Sequence, residues 1–391
     1  MHGLKPRGLT DALTLLGHRL EEVAPARSDP GVRMSVRKNI GIGETPMQPP
    51  QNNGHFVRML QGVPERLSPL HAFAYDGRVW LVCMSENLPR AVYEVDANTE
   101  KVTFSWKVHD YTYPQAAIAM RQHALEARLA HSGYQKWEVD KKREVAYALR
   151  FDKPPRSPLA YAHGFQQIDV VRLHTQQIQQ SIPCSGVTDV ALSSDGRWLY
   201  AVRGGYTDEA LRVREGEYKV MVQVWDTVRG VWSTQFAWGP CAVVFLKGFV
   251  LNGCYVVLAQ AAPWRGVIFI DTRTHAEPSW STRIQHTLRN RYGAATKVYD
   301  GIAVSGHELY TPVAFWDDKN EIVPLYNRPQ RRADSGVAAI DLLGRQVRRV
   351  LGLSEADECL SAAVCRNKLF VTSRDGEVFV IDIDAWRKNP K

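Results

Sequence analysis

The chain has 391 residues, 45% hydrophobic and 23% charged, an ordinary globular balance that excludes collagen-like and low-complexity classes. No apolar run reaches the length of a membrane-spanning helix, so no membrane partner is expected. The net charge of +8 favours anionic partners only where the cations cluster.

Leu9, Leu13, Leu16, Leu20 and Val23 fall on one side of a helical wheel. Residues 1–60 therefore predict a short N-terminal helix and an extended arm, set apart from 61–391. The first residues lack the uninterrupted apolar core and small-residue cleavage site of a secretory signal. Asp11, Glu21 and Glu22 run against a mitochondrial presequence, which avoids acids. The expectation is an intracellular, cytoplasmic protein, with a mitochondrial one as the alternative. The six cysteines form no CxxC pair, and Cys83, Cys254 and Cys365 lie in or beside apolar strand runs. Buried, reduced thiols are the simplest reading.

Beyond the arm, alternating runs punctuated by turn residues recur in a fixed order. Residues 70–108 read as four strands, with Asp76-Gly77 closing the first hairpin, and 137–182 repeat the order. Between them, within an insertion over 109–136, the Ala-rich stretch 114–132 predicts a helix standing on the loop face. It serves there as a lid on neighbouring loops or as a partner-binding helix. The clearest unit starts at 187, where Val187–Leu192 alternates and Ser194-Asp195-Gly196 turns into Trp198–Arg203. Strands at 219–226 and 231–238 complete it. Further units occupy 241–284, with 279–284 as its fourth strand, and 295–352. The last, 360–384, stops after three strands, and the alternating HFVRML (55–60) is the candidate to fill the missing fourth.

The third strands end in Asp96, His174, Asp226, Asp271, Asp341 and Asp382, at intervals of 78, 52, 45, 70 and 41 residues. The floor near 41–45 matches the length of a four-stranded propeller blade, and larger intervals carry inserted loops. SSDGRWLYAVRGG (193–205) followed by VQVWD (222–226) resembles the repeat of YVTN/lactonase-like and WD40-like propellers. That resemblance covers roughly 70–384 and concerns architecture, since the regular Gly-His and Trp-Asp pairs of a WD40 array are missing. The fold class expected is all-β, a β-propeller of six blades, or seven if 32–60 contributes further strands.

In such a blade the first and third hairpin turns share one face, and here they are short. The long connectors 151–166, 203–218, 260–266 and 314–336 and the interblade segments 109–136 and 285–294 belong to the other. Recognition concentrates on long loops carried by a rigid scaffold. Trp264, Arg265, Arg289, Arg291, Trp316, Arg328, Arg331 and Arg332 are the candidate interaction residues, because exposed Trp and Arg anchor protein interfaces. Nucleic acid is a weaker partner by charge: 314–336 holds four cations against four anions, which is no net charge. A metal site would draw on His71, His109, His163, His286, His307 and Glu308, none with short-range ligand spacing. No GxSxG elbow, Walker loop or helix-opening GxGxxG occurs, so no catalytic residue or cofactor is expected. The functional expectation is a non-enzymatic interaction platform whose partners are other protein subunits of an assembly. The alternatives are a lactonase-like, channel-centred hydrolase and an RNA-associated propeller in a ribonucleoprotein.

Overall fold

The computed structural model describes residues 56–63, 70–75, 77–83, 91–108, 114–122, 125–151, 164–203, 220–238, 243–251, 254–262, 266–292, 294–296, 302–315, 335–353 and 359–389. The predicted N-terminal helix lies outside them. So do Trp264, Arg265, Trp316, Arg328, Arg331, Arg332, His109 and His163.

The first described strand, β1 (Val57–Met59), belongs to the last sheet. Blade 1 follows as β2 (Leu70–Tyr75), β3 (Arg78–Cys83), β4 (Ala91–Asp96) and β5 (Lys101–Lys107). Helices α1 (Pro114–Ala119) and α2 (Leu125–His131) lead into blade 2: β6 (Lys136–Asp140), β7 (Val145–Arg150), β8 (Phe165–Arg172) and the first part of β9 (Ile178–Leu192). The second part of β9 opens blade 3, with β10 (Trp198–Arg203), β11 (Val220–Asp226) and β12 (Val231–Trp238). Blade 4 has β13 (Val243–Leu251), β14 (Cys254–Ala262) and β15 (Gly266–Asp271), then helix α3 (Ser279–Tyr292). Blade 5 has β16 (Ala294–Thr296) and β17 (Ala303–Ser305), both paired with β18 (Glu308–Phe315), then β19 (Ser335–Asp341) and β20 (Gln346–Leu353). Blade 6 has β21 (Cys359–Cys365), β22 (Lys368–Ser373) and β23 (Val378–Asp382), and α4 (Ile383–Lys388) ends the described chain.

Each sheet buries its apolar faces against the next. Tyr147, Leu149 and Ile168 of blade 2 share a core with Val190, Leu199 and Trp225 of blade 3. Tyr200 of blade 3 reaches His275 at the end of blade 4, and Phe269 of blade 4 packs with Leu309 and Val313 of blade 5. Tyr310 and Val337 then pack with Leu369 and Phe379 of blade 6. Phe370 and Val380 in turn pack with Leu81 and Tyr93 of blade 1. Among the described residues six blades thus follow one another around a ring, a β-propeller, and β1 completes the sixth through antiparallel pairing with β23 (Val57 opposite Ile381); residues 32–55, on which a seventh blade would draw, lie outside the described residues. The buried Cys83, Cys359 and Cys365 sit in these sheet cores.

Five sequence expectations are corrected. The stretch 114–132 forms two short helices instead of one, and they wedge between blades 1 and 2. Ala117 and Ile118 pack on Trp80 and Trp106, while Ala116, Ala119 and Leu129 pack on Trp137 and Ala148. Gln115 binds both the N–H and the C=O of Trp137, covering the open edge of β6 (3.1 and 3.0 Å). Blades 2 and 3 are not separate sheets, because the continuous β9 pairs with β8 and then with β10. The described part of 295–304 holds two strands, β16 and β17, each paired with β18. Residues 279–284 are the start of α3, and 285–292 continue it, where a strand and a loop were expected. Trp280, Ile284 and Leu288 recur every four residues, and all three are buried.

The third-strand aspartates of blades 1, 3, 4 and 5 accept N–H groups of the turn that follows, Asp271 from Arg273, whereas Asp382 caps α4 by accepting the N–H of Ala385. Asp96 Oδ1 accepts the N–H groups of Asn98 and Thr99, Asp226 those of Val228 and Arg229, and Asp341 those of Leu343 and Gly344. Four residues past each of the four turn aspartates the chain turns left-handed, at Glu100 (φ 55°), Gly230 (67°), His275 (54°) and Arg345 (53°). The backbone N–H of Glu100, Gly230 and His275 returns to the aspartate carbonyl at 2.8 Å. This is a type I turn with a bulge, suited to the twist of antiparallel strands. In blade 2 the equivalent position is Arg172, not His174: Arg172 opposes Val145, just as Asp226 opposes Trp198 and Asp341 opposes Glu308.

Candidate interaction surface

Helix α3 stands where blade 4 would carry its fourth strand. Ser281, fully buried, accepts the N–H of Phe269 at 3.1 Å, and Gln285 Nε2 donates to the carbonyl of Val267 at 3.1 Å. Two side chains therefore occupy the open edge of β15. Trp280 stacks at a tilt on Phe269 (4.7 Å between centroids), and the Arg345 guanidinium covers the indole at 5.6 Å.

The other flank of α3 presents Thr282, Arg283, His286, Arg289, Asn290 and Arg291 to solvent, with no acidic residue between 279 and 292. Arg289 and Arg291, expected on a loop, occupy the last helical turn. Cations there also oppose the negative end of the helix dipole, so part of their effect is on the helix itself. Arg283, absent from the sequence-derived candidates, and His286, expected only as a metal ligand, extend the same basic flank. The helical period that identifies α3 was the signal that would have found them. Among the described residues the potential metal ligands do not converge: His71 is on β2, His286 on α3, and His307 in the turn before β18. Glu308 binds Tyr310 Oη and Arg387 instead. Among the described residues no group of three His, Cys, Asp or Glu side chains is placed to hold a metal ion.

The short turns meet on one face and are bonded across blades. Arg366 reaches Asn98 (2.6 Å), and Lys368 reaches the carbonyl of Ala97 (2.7 Å), joining blade 6 to blade 1. Arg143 donates to the Gly196 carbonyl (3.0 Å) and Thr227 Oγ1 (2.7 Å), joining blade 2 to blade 3. Tyr200 Oη lies 2.9 Å from His275 Nδ1, joining blade 3 to blade 4, and burial lowers the His275 pKa. The strand ends Cys83 and Ala91, Arg150 and Phe165, Arg203 and Val220, and Phe315 and Ser335 lie at the opposite ends of the same hairpins.

No protein-family model matches the chain, and no curated protein matches it either. Solved structures of similar shape include Kuenenia stuttgartiensis hydrazine synthase, at 13% identity and TM-score 0.41 over 83% of this chain and 79% of that one. The Neurospora crassa Pan2 WD40 domain aligns at 10% identity and TM-score 0.38 over 80% and 88%. The Dos1 propeller aligns at 13% identity and TM-score 0.38 over 80% and 66%. The propeller assignment stands on the hydrogen-bonded sheets and their packing.

Proposed function

We propose that this propeller is a protein-interaction platform and a subunit of a larger assembly. In this reading it engages other proteins through its connector-bearing face and the basic flank of α3. Trp264, Arg265, Trp316, Arg328, Arg331 and Arg332 contribute from the connectors, with Arg289 and Arg291 at the rim. One observation carries the reading: the short turns are bonded to one another across blades on a single face, so the long connectors issue from the other. Rigid scaffold and variable loops are thereby segregated, the arrangement on which recognition sites are built. The basic flank of α3 also suits an RNA backbone, which would draw on counterion release more than on shape.

The test is amine crosslinking of the native protein in its source lysate. Partner crosslinks are expected at Lys153, Lys219 and Lys319 of the connectors. A solitary monomer, or crosslinks confined to Lys101, Lys141 and Lys142 on the turn face, would overturn the reading.

A further inference from the structure

On the turn face a cleft lies between blades 2 and 3. It encloses ≈ 680 Å³, and Arg143, Tyr147, Arg172, His174, Gln179 and Trp225 are among its walls. Tyr147 and Trp225 are buried and offer aromatic surface. Arg143 is fixed by Gly196 and Thr227, and its guanidinium lies 3.4 Å from Asp140. The approach depends on glycine, since a Cβ on Gly196 would stand 2.6 Å from Asp140 Oδ2.

Arg172 is the unusual member. It occupies the position where each of the other five blades has an aspartate, so the charge at this strand end is reversed. Its guanidinium meets a neutral amide: Gln179 Oε1 accepts from Nε at 2.7 Å and from Nη2 at 3.3 Å. Among the described residues no carboxylate forms an ion pair with it. Glu144, the acid in the cleft wall, lies 3.4 Å from His174. A carboxylate replacing the amide would gain charge-assisted, two-point hydrogen bonding.

The rim argues for a protein segment over a small anion. Five large hydrophobic residues are exposed among the described residues; Ile178 (47% exposed) and Val228 (67%) adjoin cleft residues in sequence, and Val231 (43%) pairs across its hairpin with Asp226, which lies between the cleft residues Trp225 and Thr227. We infer that this cleft binds an acidic segment of a partner protein, with a carboxylate on Arg172 beside Arg143 and apolar neighbours covering Ile178, Val228 and Val231. The site is separate from the connector face and from α3.

The experiment pans random octapeptides displayed on phage against the full chain, Arg172→Asp and Lys388→Glu. The wild type should enrich peptides with Asp or Glu beside Leu, Ile, Val or Phe. Arg172→Asp restores the residue of the other blades and should lower their capture about tenfold, the loss of one charge-assisted contact. Lys388→Glu, a charge reversal on α4 outside the cleft and outside α3, should leave capture unchanged. If Arg172→Asp fails to fold, Arg172→Gln is expected to show the same loss. Absence of acidic enrichment on the wild type, equal capture by a folded Arg172 variant, or an equal loss in Lys388→Glu would overturn the inference.

Discussion

Blades 4 and 6 face the same problem and solve it differently. Among the described residues each has three strands in succession, followed by a helix instead of a fourth strand. Blade 6 is completed by β1, whose backbone pairs with β23 while the Leu60 N–H bonds the Val378 carbonyl at 2.8 Å. Arg58 of β1 and Lys368 of β22 both pair with Glu100 of blade 1, fastening the closure across two blades. Blade 4 is completed by α3, with two side-chain hydrogen bonds to β15 and an apolar stripe. A strand satisfies an edge with its own backbone. A helix has already spent its backbone hydrogen bonds internally, so it must close the edge by packing, and its outer flank remains available for charge.

The comparison breaks most readily at Trp280. If α3 closes blade 4 mainly by packing, Trp280→Ala should cost about 3–4 kcal/mol, the range for large buried aromatics. Urea unfolding of the full chain measures it, and a cost below about 1 kcal/mol would show that the helix is not needed for closure.

The strand closure should be the more sensitive to acid. Arg58, with Lys368 also hydrogen-bonded to it, holds Glu100 at a pKa of about 2 against the burial that opposes ionisation. Glu100 binds a proton more weakly folded than unfolded, so its stabilisation is complete above about pH 5 and is lost as pH falls towards 2, roughly 2 kcal/mol once solvent screening of the pair is allowed for. Thermal melts over that window should decline less steeply in Glu100→Gln than in the wild type. Parallel curves would remove Glu100 from the closure.

The smallest effect sharpens the difference between the two edges. Ser281→Ala deletes the acceptor of the Phe269 N–H and should cost about 1–2 kcal/mol. Hydrogen exchange at the Phe269 amide should accelerate, while that at Leu60 stays unchanged.

Much of this architecture was legible in the sequence, because a hairpin needs only alternation and a turn. Val187–Arg203 shows both, and the aspartates at 96, 226 and 341 mark positions where a carboxylate accepts two N–H groups of the next turn. His174 was a misplaced landmark, since the strand register that puts Arg172 there is a pairing between distant residues. Helix α3 was misread because Trp280, Thr282 and Ile284 also alternate, and a window that short does not separate the two periods. The basic flank was therefore seen only as Arg289 and Arg291.

By itself the sequence determined the local units: which residues alternate, where the chain reverses, and where length accumulates. These follow from pleat, turn chemistry and side-chain period, all properties of neighbours. Only the tertiary structure decided which edge receives β1, that α3 takes the place of a strand, and that Arg172, Arg143 and Trp225 share a cleft. Each of these joins residues far apart in the chain, where burial and hydrogen-bond satisfaction of the whole ring select among local possibilities of similar quality.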